Sequence, residues 1–227
     1  MESIVFVGAH PDDTEGYAAT AFLLRESFSL HVVDLTRGEL GLGRPGLLDG
    51  STARIRTAEE ESACALLGAT PHFLFETDGD AYAGKESVEA LAALLREVRP
   101  RAVFTHWPID AHPDHIQATA TLEHALHRLD FLPERYFYEV VREQTRNFRP
   151  VYSIDVSSTI DRKLAMLSRY ACQMKEATLA DKRDQAAERG RETVPPVAFA
   201  ETFSTFDGAR TERGVLESLG PLCHPFV

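Results

Sequence analysis

Short β-branched and aromatic runs that alternate with segments of helical apolar spacing constrain this chain more than any other feature. Ser3 to Gly8 (SIVFVG) is the first run; a polar break from His10 to Asp13 follows, and then Ala18, Ala19, Phe22 and Leu23 at helical spacing. The unit recurs. Leu30 to Leu35 reads as a second strand, and Ala53 to Leu67 as a helix stopped by Gly68, the residue type that takes left-handed backbone just past a helix end. His72 to Phe75 reads as a third strand, and Val88, Leu91, Leu95 and Val98 as the buried stripe of a helix that Pro100 ends. Ala102 to Thr105 then gives a fourth strand and Ile116 to Leu129 a fourth helix. Strands joined by helices of this length call for right-handed crossovers and a mainly parallel sheet covered on both faces, so the expected fold is a Rossmann-like, three-layer α/β domain. After Pro133 the pattern loosens into expected strands at Tyr136 to Val140 and Val151 to Val156, helices from about Ile160 to Arg189, and a last strand near Val197 to Phe203. No linker composition interrupts it. One domain over residues 1–227 is expected, with its core in 1–130 and an elaboration in 131–227.

Composition narrows the partners. The formal charge of −11, from 24 Lys+Arg against 35 Asp+Glu, opposes binding to a polyanion, because affinity for nucleic acid rests on clustered cations that displace counterions. No apolar run approaches the ~20 residues that a membrane span needs, and the chain enters a strand at once without a basic stretch and signal core. The three cysteines (Cys64, Cys172, Cys223) lie far apart and offer neither a disulfide framework nor a CxxC site. These features together predict a soluble cytoplasmic protein with no membrane or nucleic-acid partner; a homo-oligomer is compatible with them.

Gly41, Gly43 and Gly46 (GLGRPG) satisfy GxGxxG, but the stretch contains Pro45, follows the second strand only after several residues and opens no helix for about six more. A dinucleotide fingerprint needs a tight turn from strand straight into helix. A Gly-rich loop between strand and helix, long enough to cover a site, is the better reading.

Open parallel sheets bind ligands at the carboxyl ends of their strands, where the direction of winding reverses, which here falls between the first and fourth strands. Both ends are loaded. The first runs into Ala9-His10-Pro11-Asp12-Asp13, the fourth into Thr105-His106-Trp107-Pro108-Ile109-Asp110-Ala111-His112-Pro113-Asp114-His115. Either cluster alone is compatible with a Pro-fixed turn and an Asp helix cap. Two at neighbouring strand ends point to chemistry. A catalytic zinc takes three protein groups and keeps one position open, and His10, Asp13 and His115 supply such a set. Asp12, His112 and Asp114 remain beside it, where a general base, a general acid and an orienting carboxylate are useful. The acids are too few to favour two bridged metals.

These motifs, together with Thr36-Arg37-Gly38-Glu39 after the second strand and Arg56-Thr57-Ala58-Glu59 opening a helix that ends Leu67-Gly68, resemble the PIG-L/LmbE family of zinc-dependent deacetylases. The resemblance implies Zn²⁺ on His10, Asp13 and His115, with Fe²⁺ or Co²⁺ as other occupants of that ligand set. It implies Asp12 as general base and a His112–Asp114 pair that stabilises the oxyanion and passes a proton to the leaving amine. It also implies removal of the N-acetyl group from a small amino-sugar substrate of the N-acetylglucosamine type. The stretch Thr14-Glu15-Gly16-Tyr17-Ala18-Ala19-Thr20 is one residue shorter than the Gly-Gly-Thr segment common in the family.

Two other readings stand beside this one: a metal-dependent phosphoesterase and a non-catalytic metal- or sugar-binding module. Arg56 reads either as a substrate-binding fork reaching the pocket, suited to an anionic aglycone, or as a surface partner of Glu59. His106 and Trp107 read as pocket wall or packing; His72, His124 and His127 read as ordinary surface or strand-end residues, and His31 has no evident partner.

Overall fold

The computed structural model describes residues 1–42, 50–206 and 214–226. Five strands, β1 (Ser3–Gly8), β2 (Ser29–Asp34), β3 (Ala69–Phe73), β4 (Ala102–His106) and β5 (Glu134–Tyr138), run parallel. β6 (Tyr152–Asp155), β7 (Ala200–Ser204) and β8 (Cys223–Pro225) extend the same sheet by antiparallel pairing, giving the order β3-β2-β1-β4-β5-β7-β6-β8. The expected mainly parallel α/β sheet is therefore present. β8 was not anticipated: three residues ending in Pro225 carry too short a pattern to read as a strand.

The apolar run of β1 is explained by cover on both faces, which removes the need for polar alternation. Ile4 and Phe6 face a core built with α1 (Ala18–Leu24), α2 (Ser51–Leu67) and α5 (Ile160–Leu167). Val5 and Val7 face the other, built by Val88, Leu91 and Leu95 of α3 (Lys85–Val98) and Ala118 and Leu122 of α4 (Pro113–Leu126). Gly68 closes α2 at φ 79°, and its N–H donates to the Cys64 carbonyl at 2.8 Å.

Two boundaries differ from expectation for physical reasons. α4 begins at Pro113 rather than Ile116, because His112 caps it, with Nδ1 accepting from the Asp114 N–H at 3.3 Å, and proline suits the first helical position. β3 begins at Ala69, since Pro71 is tolerated on an edge strand, and it ends at Phe73. Gly43 and Gly46 of the glycine-rich stretch lie outside the described residues.

The carboxyl-terminal part is fastened differently. α6 (Glu176–Glu192) buries Lys182, Ala186, Arg189 and Gly190 rather than an apolar stripe. Lys182 Nζ donates to Glu15 Oε1 at 2.8 Å, Arg189 Nε to Glu139 Oε1 at 2.6 Å, and Lys163 Nζ of α5 to Glu201 Oε1 at 2.7 Å. Glu201 in turn accepts from the Ala19 and Thr20 N–H groups of α1. Among the described residues, no helix is long and apolar enough to cross a membrane.

Candidate active site

β1 and β4 are direct neighbours, with Ile4 to Val7 registered against Ala102 to Thr105, and the helices that follow them pack on opposite faces of the sheet. Their carboxyl ends therefore border the crevice where winding reverses. A cleft of about 480 Å³ opens there, with His10, Asp12, Asp13, Arg56, His112 and His115 in its lining.

After β1 the chain turns through Asp12, whose φ of 97° lies in the left-handed region, into a 3₁₀ turn at Asp13–Gly16. Such a conformation costs a non-glycine residue roughly 1–3 kcal/mol and persists only where its surroundings hold it. Arg56 of α2 is the holder. Its guanidinium donates to the Pro11 carbonyl and, at 2.7 Å, to Asp12 Oδ1. Gly38 and Gly41 leave room for that guanidinium, which a Cβ at either position would meet. Gly16 is required for a similar reason: a Cβ there would lie 2.5 Å from the Tyr138 ring and 2.8 Å from the Glu139 carbonyl oxygen.

The turn bends Asp13 back so that Oδ2 accepts from the Ala9 and His10 N–H groups at 2.8 and 2.9 Å. Oδ1 faces His115 Nε2 at 3.4 Å. Burial alone would favour the protonated acid, but the nearby His106 and His115 hold the Asp13 carboxyl well below the usual carboxylate range. Asp12 goes the other way. Burial pushes its carboxyl up to about 7, against the pull of Arg56.

One donor atom from each of His10, Asp13 and His115 lies within 4.8 Å of the others, so the expected metal ligands are brought together. His10, His112 and Asp114 form a second such group that shares His10. Imidazole nitrogen with one carboxylate oxygen suits zinc and neighbouring divalent transition metals. The surroundings fit this as well. His115 Nδ1 faces Asp110 Oδ1 at 3.4 Å, and Asp110 is itself held by the Thr145 hydroxyl and the His112 N–H. His10 Nε2 meets Asp114 Oδ2 at 3.0 Å and Asp78 Oδ1 at 3.3 Å. A carboxylate stands behind each imidazole and leaves its other nitrogen facing Asp13, the usual arrangement around a metal.

This corrects the expected partner of Asp114. Its carboxylate accepts from the Gly79 N–H at 2.7 Å and contacts His10, and only its backbone N–H turns to His112. Arg56 is likewise no surface partner of Glu59, which binds the Cys172 N–H and Sγ instead. Of its guanidinium, Nη2 is taken by Asp12 and Pro11, while Nε has no hydrogen-bond partner and the side chain lines the cleft. His106 is buried behind Asp13, with Nε2 at 3.0 Å from Oδ2 and its ring stacked 4.1 Å from that of His115. It supports the ligands and does not wall the pocket. Trp107 packs between Phe137 and Phe148 and donates to the Arg146 carbonyl, the packing alternative.

Sequence reasoning missed Asp110, Asp78 and Gly79 as neighbours of the site. Asp110 stands two residues before His112, a position that could have marked it as an orienting acid. Asp78 and Gly79 come from the loop after β3, with no motif around them.

Residues 5–126 match the family model described as PIG-L, GlcNAc-PI de-N-acetylase. The chain belongs to the PIG-L family. Among relatives of this PIG-L protein is 4-oxalmesaconate hydratase of Pseudomonas putida, 28% identical over 194 residues that cover 76% of this chain and 74% of the relative. Another is 1D-myo-inositol 2-acetamido-2-deoxy-alpha-D-glucopyranoside deacetylase of Kineococcus radiotolerans, 33% identical over 159 residues. That match covers 54% of this chain and 44% of the relative, so the chain spans less than half of that deacetylase's length. The solved 4-carboxy-2-hydroxymuconate hydratase of Pseudomonas putida superposes with a TM-score of 0.80 at 24% identity, covering 94% of this chain and 99% of the other, which shows the shared fold.

Proposed function

We propose that this PIG-L protein is a metal-dependent amidohydrolase that removes the N-acetyl group of an N-acetylglucosamine-type substrate, releasing acetate and a free amine. The observation that carries this reading is the convergence of His10, Asp13 and His115 beside a strained, Arg-held Asp12 in one cleft. The three ligands would hold one Zn²⁺, or Fe²⁺ or Co²⁺ in its place, and that ion supplies Lewis-acid polarisation and a lowered pKa for water.

The remaining chemistry belongs to the chain. Asp12, aimed into the cleft and held by Arg56, takes the proton of the attacking water as general base and returns it to the departing nitrogen as the C–N bond breaks. Burial above all lowers the pKa of His112 from its ordinary value, which favours the neutral ring. Because its Nδ1 accepts from the Asp114 N–H, the neutral ring carries its hydrogen on Nε2, where it can donate to the developing oxyanion. Asp114 and Asp110 act as positioning residues for His10 and His115. Residues 1–130 supply every group with an assigned role, and 131–227 add Val140, Val141, Gln144 and Gln173 to the lining of the cleft.

The P. putida hydratase match, which covers most of both chains, favours a second reading: addition of water to a carboxylate-bearing substrate. The cleft argues against it. Among the described lining residues the one guanidinium is Arg56, whose Nη2 is held by Asp12 and Pro11, while Asp12, Asp13, Glu15 and Asp78 carry acids. The same feature disfavours a phosphoesterase, and the retained Asp12 disfavours a non-catalytic module. The test is metal analysis followed by an acetate-release screen over N-acetylglucosaminides, with unsaturated carboxylates assayed for hydration in parallel. Acetate release that depends on metal supports the proposal; hydration without acetate release replaces it with the second reading.

A further inference from the structure

Outside the cleft, two more imidazoles meet. His31 on β2 and His72 on β3 lie two residues before Val33 and Leu74, which point into the core under α3 and α4, so the two rings stand on that same face at the edge of the sheet. His31 Nδ1 and His72 Nε2 are 3.1 Å apart, and the rings stack with centroids 5.4 Å apart and planes 26° apart. Both residues are half-buried. The negative charge of Glu97, on α3, acts on both.

We propose that His31 and His72 form a second site, separate from the cleft, for a divalent transition cation of the zinc, nickel or copper kind. The geometry is the first support. At metal–nitrogen distances of about 2.0–2.1 Å, two adjacent nitrogen ligands of one ion stand roughly 3.0–3.4 Å apart, a range that includes the observed 3.1 Å; the two nitrogens point at each other in the free protein, so both rings must turn to aim at one ion. Ligand type is the second, because an imidazole pair selects these metals over magnesium or calcium. The third is protonation state. Burial disfavours charge on both rings, and for His72 the nearness of His31 adds to it, which leaves lone pairs rather than cations at the meeting point. In the free protein one ring donates an N–H to the other. On binding, that hydrogen moves to the outer nitrogen of the donor ring, so both inner lone pairs face the ion and no net proton is lost.

The location gives the site a consequence. β3 is an edge strand whose ladder lacks a donor at Pro71, and it leads into the loop whose Asp78 and Gly79 contact His10 and Asp114. An ion shared by His31 and His72 would tie this strand to β2.

The test uses the full chain stripped with a chelator and then dialysed against Zn²⁺ or Ni²⁺ alone. The parent chain is expected to bind one equivalent more than His31→Gln and His72→Gln, each with the parent's circular-dichroism spectrum retained as evidence of folding. The thermal midpoint should rise further as metal exceeds the first equivalent in the parent chain and not in either variant. The same metal content in the parent chain and in either variant overturns the proposal. Should the Gln variants fail to fold, Cu²⁺ bound to a chain carrying His10→Ala, His112→Ala and His115→Ala provides the decision: an electron paramagnetic resonance spectrum with two equatorial nitrogens is expected, and its absence overturns the site.

Discussion

The chain uses the tripeptide His-Pro-Asp twice, at residues 10–12 and 112–114, and gives it two conformations. At the end of β1 it forms a strained turn with Asp12 left-handed at φ 97°, and no side chain caps the short helix that follows. At the end of β4 it forms an ordinary helix start, with His112 extended at φ −85° and ψ 119° as the cap, Pro113 in the first turn and Asp114 inside the helix. The strained copy directs one carboxylate into the cleft and the next onto two backbone N–H groups; the relaxed copy places Asp114 behind His10 and His115 one residue further along the same helix. The tripeptide therefore sets which groups are present. The backbone around it, Arg56 in one case and a helix in the other, decides which face the cleft and which stand behind the imidazoles.

The sharpest way to break this comparison is to neutralise each aspartate. Asp12→Asn keeps the shape of a residue type that tolerates left-handed backbone, yet it cannot accept a proton. It should lower kcat by about 10²–10⁴ while metal content, measured by elemental analysis, stays unchanged. In the parent enzyme the base must be ionised, and burial raises its carboxyl to about 7. Activity should then rise with pH through the neutral range, and Arg56→Gln, which removes the opposing pull, should move that rise to higher pH. An Asp12→Asn enzyme with parental kcat would remove Asp12 from the chemistry.

Supports should behave differently, and Asp110 tests this. Its carboxylate stands behind His115 Nδ1, is itself held by Thr145 and touches nothing in the cleft. Asp110→Asn should weaken metal affinity or activity by about 10–100-fold, as loss of a ligand-orienting carboxylate does, with activity recovering as metal is raised. A kcat loss as deep as that of Asp12→Asn, and not rescued by metal, would erase the distinction between reacting group and support.

How much of this was legible depended on what each element buries. β1 to β4 and their helices carry dense apolar periodicity, so their order, their neighbours and the loaded strand ends followed from the pattern. The clustering of His10, Asp13 and His115 was legible too, because they sit in two short motifs at adjacent strand ends. The partners behind them were not. Asp78 and Gly79 reach the site from a loop 64 or more residues after His10 in sequence, without a pattern to announce them. The carboxyl-terminal part was dim for another reason: α6 docks through Lys182 and Arg189 paired with Glu15 and Glu139, so the buried face reads as polar. The His31–His72 contact joins two strands whose register cannot be read from either alone.

The smallest expected effect separates the two prolines. Pro113 occupies the first turn of α4, where the helix leaves the first N–H groups without an intrahelical partner, so its missing N–H costs nothing. Its contribution comes from restricting the unfolded chain, and Pro113→Ala should lower stability by only about 0.4–1 kcal/mol, read from denaturant midpoints at unchanged m. Because His112 still caps the helix through Asp114 N–H, kcat should stay at the parental level. Pro11 is different in kind. It fixes the residue before the strained Asp12, and its carbonyl accepts from Arg56. Pro11→Ala frees the turn without restoring any hydrogen bond to the cleft, so its cost should appear in kcat as Asp12 loses its fixed aim. Equal stability losses with parental kcat in both variants would mean that the β1 turn is held by Arg56 and the 3₁₀ turn alone, and that proline plays the same passive part in each copy.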